Sequence, residues 1–145
     1  MEIKKLRKNA ILPKIATDGS AAYDLHACID KPITLHAGEC KLIPTGFAIN
    51  MIRKNLAALI LPRSGLGAKK GVVLGNLVGL IDSDYTGEIM LTPWNRNLEE
   101  SVVINPNDRI AQMIFVPVIH PEFKEVDEFS SYTKRGSGGF GSTGV

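Results

Sequence analysis

The chain has 145 residues, 44% of them hydrophobic and 22% charged, and its 17 Lys and Arg against 15 Asp and Glu leave a formal net charge of +2. A chain of that length buries about two-thirds of the surface its unfolded form exposes, which supports one core without covalent staples and leaves little room for a second. So small a charge excess speaks against a dedicated binder of nucleic acid or of a membrane surface, both of which carry a strongly basic face.

The first ten residues, MEIKKLRKNA, are basic and polar. No apolar stretch or small-residue cleavage site follows, so a secretory leader is not expected, and Lys4, Lys5, Arg7 and Lys8 read as a solvated basic end. Short β-type runs then recur at Tyr23 to Cys28, Ile33 to His36, Lys41 to Met51 and Leu56 to Leu61. Ser64 to Lys70 has room for one short helix. Further strands are expected at Gly79 to Asp82, Glu88 to Asn95, Ser101 to Ile104 and Ile110 to Ile119. Turn formers separate them, among them His36-Ala-Gly38, Tyr85-Thr-Gly87 and Asn105-Pro-Asn-Asp108. Such a succession of short strands belongs to an all-β sandwich, barrel or jelly roll. Cys28 and Cys40 are too few for a disulfide framework, and no apolar run reaches membrane-spanning length. The expected setting is the cytoplasm.

The run Ile110-Ala-Gln-Met-Ile-Phe-Val-Pro-Val-Ile119 lacks the alternation of a strand with one wet face, so it lies between two layers or is covered by a second subunit. Gln112 is its polar exception. A buried amide needs partners, and Gln112 either serves a site or bonds to nearby backbone.

Several familiar chemistries are missing. Gly136-Ser-Gly-Gly-Phe-Gly141 spells a dinucleotide fingerprint, but with four residues after it no βαβ helix can open. The chain has no phosphate-binding Gly-x-x-x-x-Gly-Lys-Ser/Thr loop, no Gly-x-Ser-x-Gly elbow and no zinc deaminase signature. His26, His36 and His120 lack metal-ligand spacing.

What remains is a set of segments in which glycine stands beside acidic, basic or hydroxyl residues. In Pro62-Arg-Ser-Gly-Leu-Gly67 a glycine turn lets backbone N–H groups converge on an anion, with Arg63 and Ser64 as further donors; a plain surface turn is the alternative. Gly75 to Gly87 is apolar in its middle and ends in Asp82, Asp84 and Tyr85. Carboxylates two apart on a strand share a face, and Asp82 in a cleft could orient and deprotonate a water; a hairpin with a solvated acidic turn is the other reading. Asp24, alone among strand-like residues, suits a hydrated Mg²⁺ or an ordinary ion pair. The tail Arg135-Gly-Ser-Gly-Gly-Phe-Gly-Ser-Thr-Gly144 holds five of the 14 glycines. Its composition is that of a flexible end, yet Arg135 can clamp a phosphate and Phe140 can stack on a base.

These segments, with Ala21-Ala-Tyr-Asp-Leu25 first and Arg109-Ile-Ala-Gln112 fourth, closely resemble in this order the five motifs of the trimeric dUTPases, the bacterial type above all. Ala22 departs from the pattern, since many relatives carry glycine there. The resemblance implies an all-β, jelly-roll-like β-barrel over residues 1–134, a C-terminal arm at 135–145 that closes over the active site, and a homotrimer with three shared sites. It implies hydrolysis of dUTP to dUMP and pyrophosphate, which keeps uracil out of DNA and supplies dUMP for thymidylate synthesis. Mg²⁺ is the implied cofactor, with Asp24 and Gln112 meeting its water shell. Asp82 would hold the attacking water. Arg63, Ser64, Gly65 and Gln112 would hold the phosphates. Asn76, with the backbone of a hairpin from Gly75 to Asp82, would read uracil's edge, Gly79 and Met90 would be further substrate-binding residues, and Tyr85 would pack on the sugar where a 2′-hydroxyl would sit. Arg135, Ser142 and Thr143 would reach the γ-phosphate, with Phe140 over uracil and Gly141 a further substrate-binding residue. A dCTP deaminase of the same superfamily, or a silent nucleotide-binding module on the same scaffold, is the alternative.

Overall fold

A computed structural model describes residues 1–139. Along the chain run β1 (Glu2–Lys5), β2 (Lys14–Ile15), β3 (Tyr23–His26), β4 (Ile33–Leu35), β5 (Ile43–Asn50), β6 (Leu56–Leu61), α1 (Ser64–Lys70), β7 (Val72–Leu74), β8 (Gly79–Ile81), β9 (Glu88–Leu91), β10 (Pro93–Asn95), β11 (Val102–Ile104) and β12 (Arg109–Pro117). The strands form a five-stranded sheet in the order β2-β3-β12-β6-β8, a three-stranded sheet β1-β5-β9, and the pairs β10-β7 and β11-β4. Every pairing is antiparallel. The sheets enclose one core, with Leu25, Leu35, Ile43, Phe47, Ile89 and Met113 fully buried in it. The fold is all-β and jelly-roll-like, as expected.

Strand β6 and helix α1 fall at the expected residues. Helix α1 stops at Gly71, whose φ of 66° is the left-handed conformation that glycine adopts without strain. The expected strand Glu88 to Asn95 divides in two. At Thr92 the chain leaves the sheet of β5 for a pairing with β7, and Pro93 has no N–H to continue a ladder. Strands β1, β2 and β7 lie outside the expected set. Strand β1 is exposed at all four residues, so no apolar face marks it; its pairing with β5 places it.

Strand β12 lies in the middle of the five-stranded sheet, between β3 and β6. Ala111 and Met113 are buried, while Gln112, Ile114 and Val116, pointing the other way, are half-buried within the single chain. Cys28 and Cys40 are both free thiols, Cys28 buried and Cys40 exposed. Among the described residues no helix is long and apolar enough to cross a membrane.

Candidate active site

Strand register decides which expected residues meet. Gln112 on β12 is paired with Asp24 on β3 and with Leu61 on β6, so Asp24, Gln112 and the Pro62-Arg63-Ser64 turn that follows β6 lie together at one end of the sheet. They line a cavity of about 660 Å³ with Gly65, Lys69, Lys70, Asp108 and Arg109. Four cations against two carboxylates make its wall positive, which suits a polyanion.

Asp24 is the hub of that wall. Arg63 Nε donates to its Oδ1 at 2.9 Å and an Arg109 terminal nitrogen to its Oδ2 at 3.1 Å. Arg63 also donates to the Arg109 carbonyl at 3.3 Å, so the two arginines are tied to each other as well. The Asp24 side chain is 14% exposed and that of Arg63 29%, so the pair is poorly screened by water. Gln112 does both things that its burial left open: its Nε2 donates to the Pro62 carbonyl at 2.9 Å, fixing the turn, while the side chain lines the cavity. Next to this group, burial pushes the His26 imidazole below its ordinary value; Asp24 opposes the shift, and Arg109 and Arg63 add to it.

A second, smaller cleft of about 80 Å³ brings together Asn76, Gly79 and Met90 with Ile60, Leu80 and Thr92. Thr92 Oγ1 donates to Asn76 Oδ1 at 3.0 Å, which fixes the amide's orientation. Gly79 packs closely on β6: a Cβ there would lie 3.0 Å from Ile60 Cβ, so a larger residue would have to push Ile60 aside. Leu77 accepts a left-handed φ of 61° in the tight turn before β8, strained backbone for a leucine. After β8, Tyr85 N–H donates to the Asp82 carbonyl at 3.2 Å, closing a turn with both side chains exposed. The Tyr85 hydroxyl donates to the Glu88 carbonyl at 3.0 Å, and its ring lies over Gly87, where a Cβ would come within 2.6 Å of the hydroxyl.

The structure does not bring Asp82 to the Asp24 cavity. Ile81 is opposite Ala58, three rows along β6 from the Leu61–Gln112 row and two strands from Asp24's neighbour β12. By strand geometry that is about 14 Å, and Asp82 is one residue further. Arg135 is separate again, in an exposed turn where its Nε donates to the Gly138 carbonyl at 2.8 Å. Phe140, Gly141, Ser142 and Thr143 lie outside the described residues. Two groups went unassigned in the sequence. Arg109 was legible only as a member of its motif. Asn95, fully buried, donates from one amide nitrogen to the carbonyls of Leu35, His36 and Glu100 and so fastens the loop after β10.

An antiparallel jelly-roll-like fold, with a cationic cavity at one sheet end and a separate small cleft lined by the connection between β7 and β8, defines a protein with a pocket suited to a small polyanion. The dUTPase family model matches residues 8–144, and the chain belongs to that family. It is 56% identical over 144 residues to the deoxyuridine 5′-triphosphate nucleotidohydrolase of Paraburkholderia xenovorans (strain LB400), covering 99% of this chain and 96% of that protein. To the protein of the same name from Psychrobacter sp. (strain PRwf-1) it is 57% identical over 136 residues, covering 94% and 88%. Among solved structures, a Staphylococcus bacteriophage 80alpha dUTPase with dUpNHpp superposes with a TM-score of 0.88 at 29% identity, over 99% of this chain and 98% of that one. A dUTPase from phage phi11 of S. aureus, described with a structural Mg(II) ion, reaches 0.80 at 25% identity, over 90% and 98%.

Proposed function

We propose that the protein hydrolyses dUTP to dUMP and pyrophosphate at a site assembled from the cationic cavity and the Asn76 cleft of different copies of the chain. The observation that carries this reading is the convergence of Asp24, Arg63, Ser64, Gly65 and Gln112 on one positive cavity, with Asn76, Gly79 and Met90 on a separate small cleft. Phosphoryl transfer asks for position and charge neutralisation more than for covalent chemistry, and the cavity offers arginine, lysine, hydroxyl and amide groups without a His or Cys nucleophile. Asp82 takes a proton from water as its oxygen bonds to the α-phosphorus; the bond from that phosphorus to the bridging oxygen breaks, and pyrophosphate leaves. Asn76 and the backbone from Gly75 to Asp82 read the edge of uracil. Tyr85, held by Glu88, packs on the deoxyribose and leaves no room for a 2′-hydroxyl. Residues 135–145 close over the bound nucleotide, bringing Arg135 to the γ-phosphate.

The donor set fits Mg²⁺ as the cofactor. Among the described residues no three His, Cys, Asp or Glu side chains converge to cage a metal, whereas Asp24 and Gln112, whose side chains carry hard oxygen atoms, line the same cavity. Mg²⁺ keeps most of its waters and is held by one or two protein groups together with substrate phosphates. When bound it supplies charge neutralisation across the phosphate oxygens, with Asp24 and Gln112 holding its waters.

The test is pyrophosphate release from dUTP, UTP and dCTP by the purified protein, with and without EDTA. Turnover of dUTP far above the other two, lost with EDTA, is expected. Equal rates on UTP or dCTP, or ammonia release from dCTP, overturn the reading.

A further inference from the structure

Arg109 is assigned no task by the motif reading, yet it shares Asp24 with Arg63. Each carboxylate oxygen of Asp24 takes one guanidinium, Oδ1 from Arg63 at 2.9 Å and Oδ2 from Arg109 at 3.1 Å. The two arginines differ in setting. Arg63 follows β6 directly and is the less exposed, 29% against 51% for Arg109. Arg109 begins β12 at a register shift between Arg109 and Ala111, an irregularity that turns a side chain out of the regular ladder.

A polyphosphate entering this cavity competes with Asp24 for Arg63. If Asp24 had Arg63 alone, giving up that guanidinium in the absence of Mg²⁺ would leave a carboxylate only 14% exposed without a counter-ion, and the cost would weaken phosphate binding. With Arg109 on the second oxygen, the carboxylate stays paired when Arg63 turns to the phosphates. We infer that Arg109 is a positioning residue for triphosphate binding: it holds Asp24 so that Arg63 is released to the substrate, and its effect passes through Asp24 rather than through direct contact with phosphate. The inference rests on the triphosphate site proposed above and adds a residue to it.

A double-mutant cycle separates this role from its rivals. The probe is dUpNHpp, its affinity measured by calorimetry in metal-free buffer so that no turnover and no cation enter the result. In the wild-type background Arg109→Ala weakens binding about tenfold. In an Asp24→Asn background, where no carboxylate needs a counter-ion, the same change costs less than about threefold, the remainder being the loss of one distant charge. Arg109→Lys, which keeps a charged donor for Asp24, binds within about threefold of wild type. Circular dichroism and thermal midpoints confirm that each variant is folded before its affinity is read. Equal losses in the two backgrounds would make Arg109 a direct phosphate ligand and overturn the inference while leaving the dUTPase reading intact. An unchanged affinity in Arg109→Ala also overturns it. Wild-type protein that fails to bind dUpNHpp overturns the substrate reading and the inference together.

Discussion

Glu88 shows how much one residue fixes. Its carboxylate accepts from Arg7 Nε at 2.8 Å and from the Gly46 N–H at 3.0 Å, while its carbonyl accepts the Tyr85 hydroxyl. Gly46 has a φ of 78°, and a Cβ there would lie 2.6 Å from Cys28 Sγ, so this bulge of β5 admits glycine only. The Arg7 hydrogen bond and charge, with the Gly46 N–H, hold the Glu88 carboxyl below its ordinary range against the opposing effect of burial. A carboxyl depressed in the native state contributes stability that is complete above the unfolded value near 4.5 and is lost as pH falls through the native one. Thermal midpoints of the wild type should therefore fall more steeply from about pH 5 to about pH 3 than those of Glu88→Gln, the two curves converging at the acid end. Parallel curves would mean that the depression adds nothing to folding. Asp24, Arg63 and Gln112 were legible in sequence because their chemistry stands out against glycine and apolar neighbours. Glu88 and Asn95 were not: a carboxylate and an amide in a strand look ordinary until the chain brings distant backbone groups to them.

At the scale of the element, the segment from Gly75 to Gly87 is not the hairpin expected from sequence, since β8 pairs with β6 while β7 pairs with β10, and two glycines set how closely it packs. Gly79 lets β8 lie against Ile60, and Gly87 lets the Tyr85 ring lie flat on the backbone while its hydroxyl reaches the Glu88 carbonyl. Gly87 has no left-handed φ, so an alanine there is penalised by space alone, and the group that must give way is the Tyr85 ring. Gly87→Ala should leave the fold and the affinity for pyrophosphate intact but displace the surface that excludes a 2′-hydroxyl. The ratio of kcat/KM for dUTP to that for UTP should drop by about tenfold, within the range that steric rejection of one hydroxyl can reach. An unchanged ratio would remove Tyr85 from sugar selection. The sequence marked this segment, and also β6 and α1, through apolar runs ended by turn residues. It hid β1, which has no apolar face, and β7, which is only three residues long. Thr92, where one run switches sheets, follows from the pairing of β10 with β7, a long-range fact that local pattern does not contain.

For the whole molecule, the register of the five-stranded sheet carries a consequence that residue types cannot. Asp82 and the Asp24 cavity are separated by about 14 Å or more within one chain, too far for one carboxylate to hold a water against a phosphorus bound by Arg63 and Ser64. The outward face of β12, with Gln112, Ile114 and Val116 half-buried, and the exposed Leu77 and Val78 before β8 and Leu80 within it are apolar surface for a second copy to cover. The proposed reaction thus needs a carboxylate from one copy beside the cavity of another, which the expected trimer would supply. Two variants make this measurable: Arg63→Ala disables the cavity and Asp82→Asn the water-holding carboxylate, and each homotrimer should be inactive toward dUTP. After the two are mixed in equal amounts and refolded together, about a quarter of the sites combine an intact cavity from one chain with an intact Asp82 from another, so about a quarter of wild-type turnover should return. Mixing without refolding supplies the control, because exchange of subunits is needed. If the site were complete within one chain, every chain in the mixture would carry one lesion in its own site, and no proportion of the two variants would restore turnover.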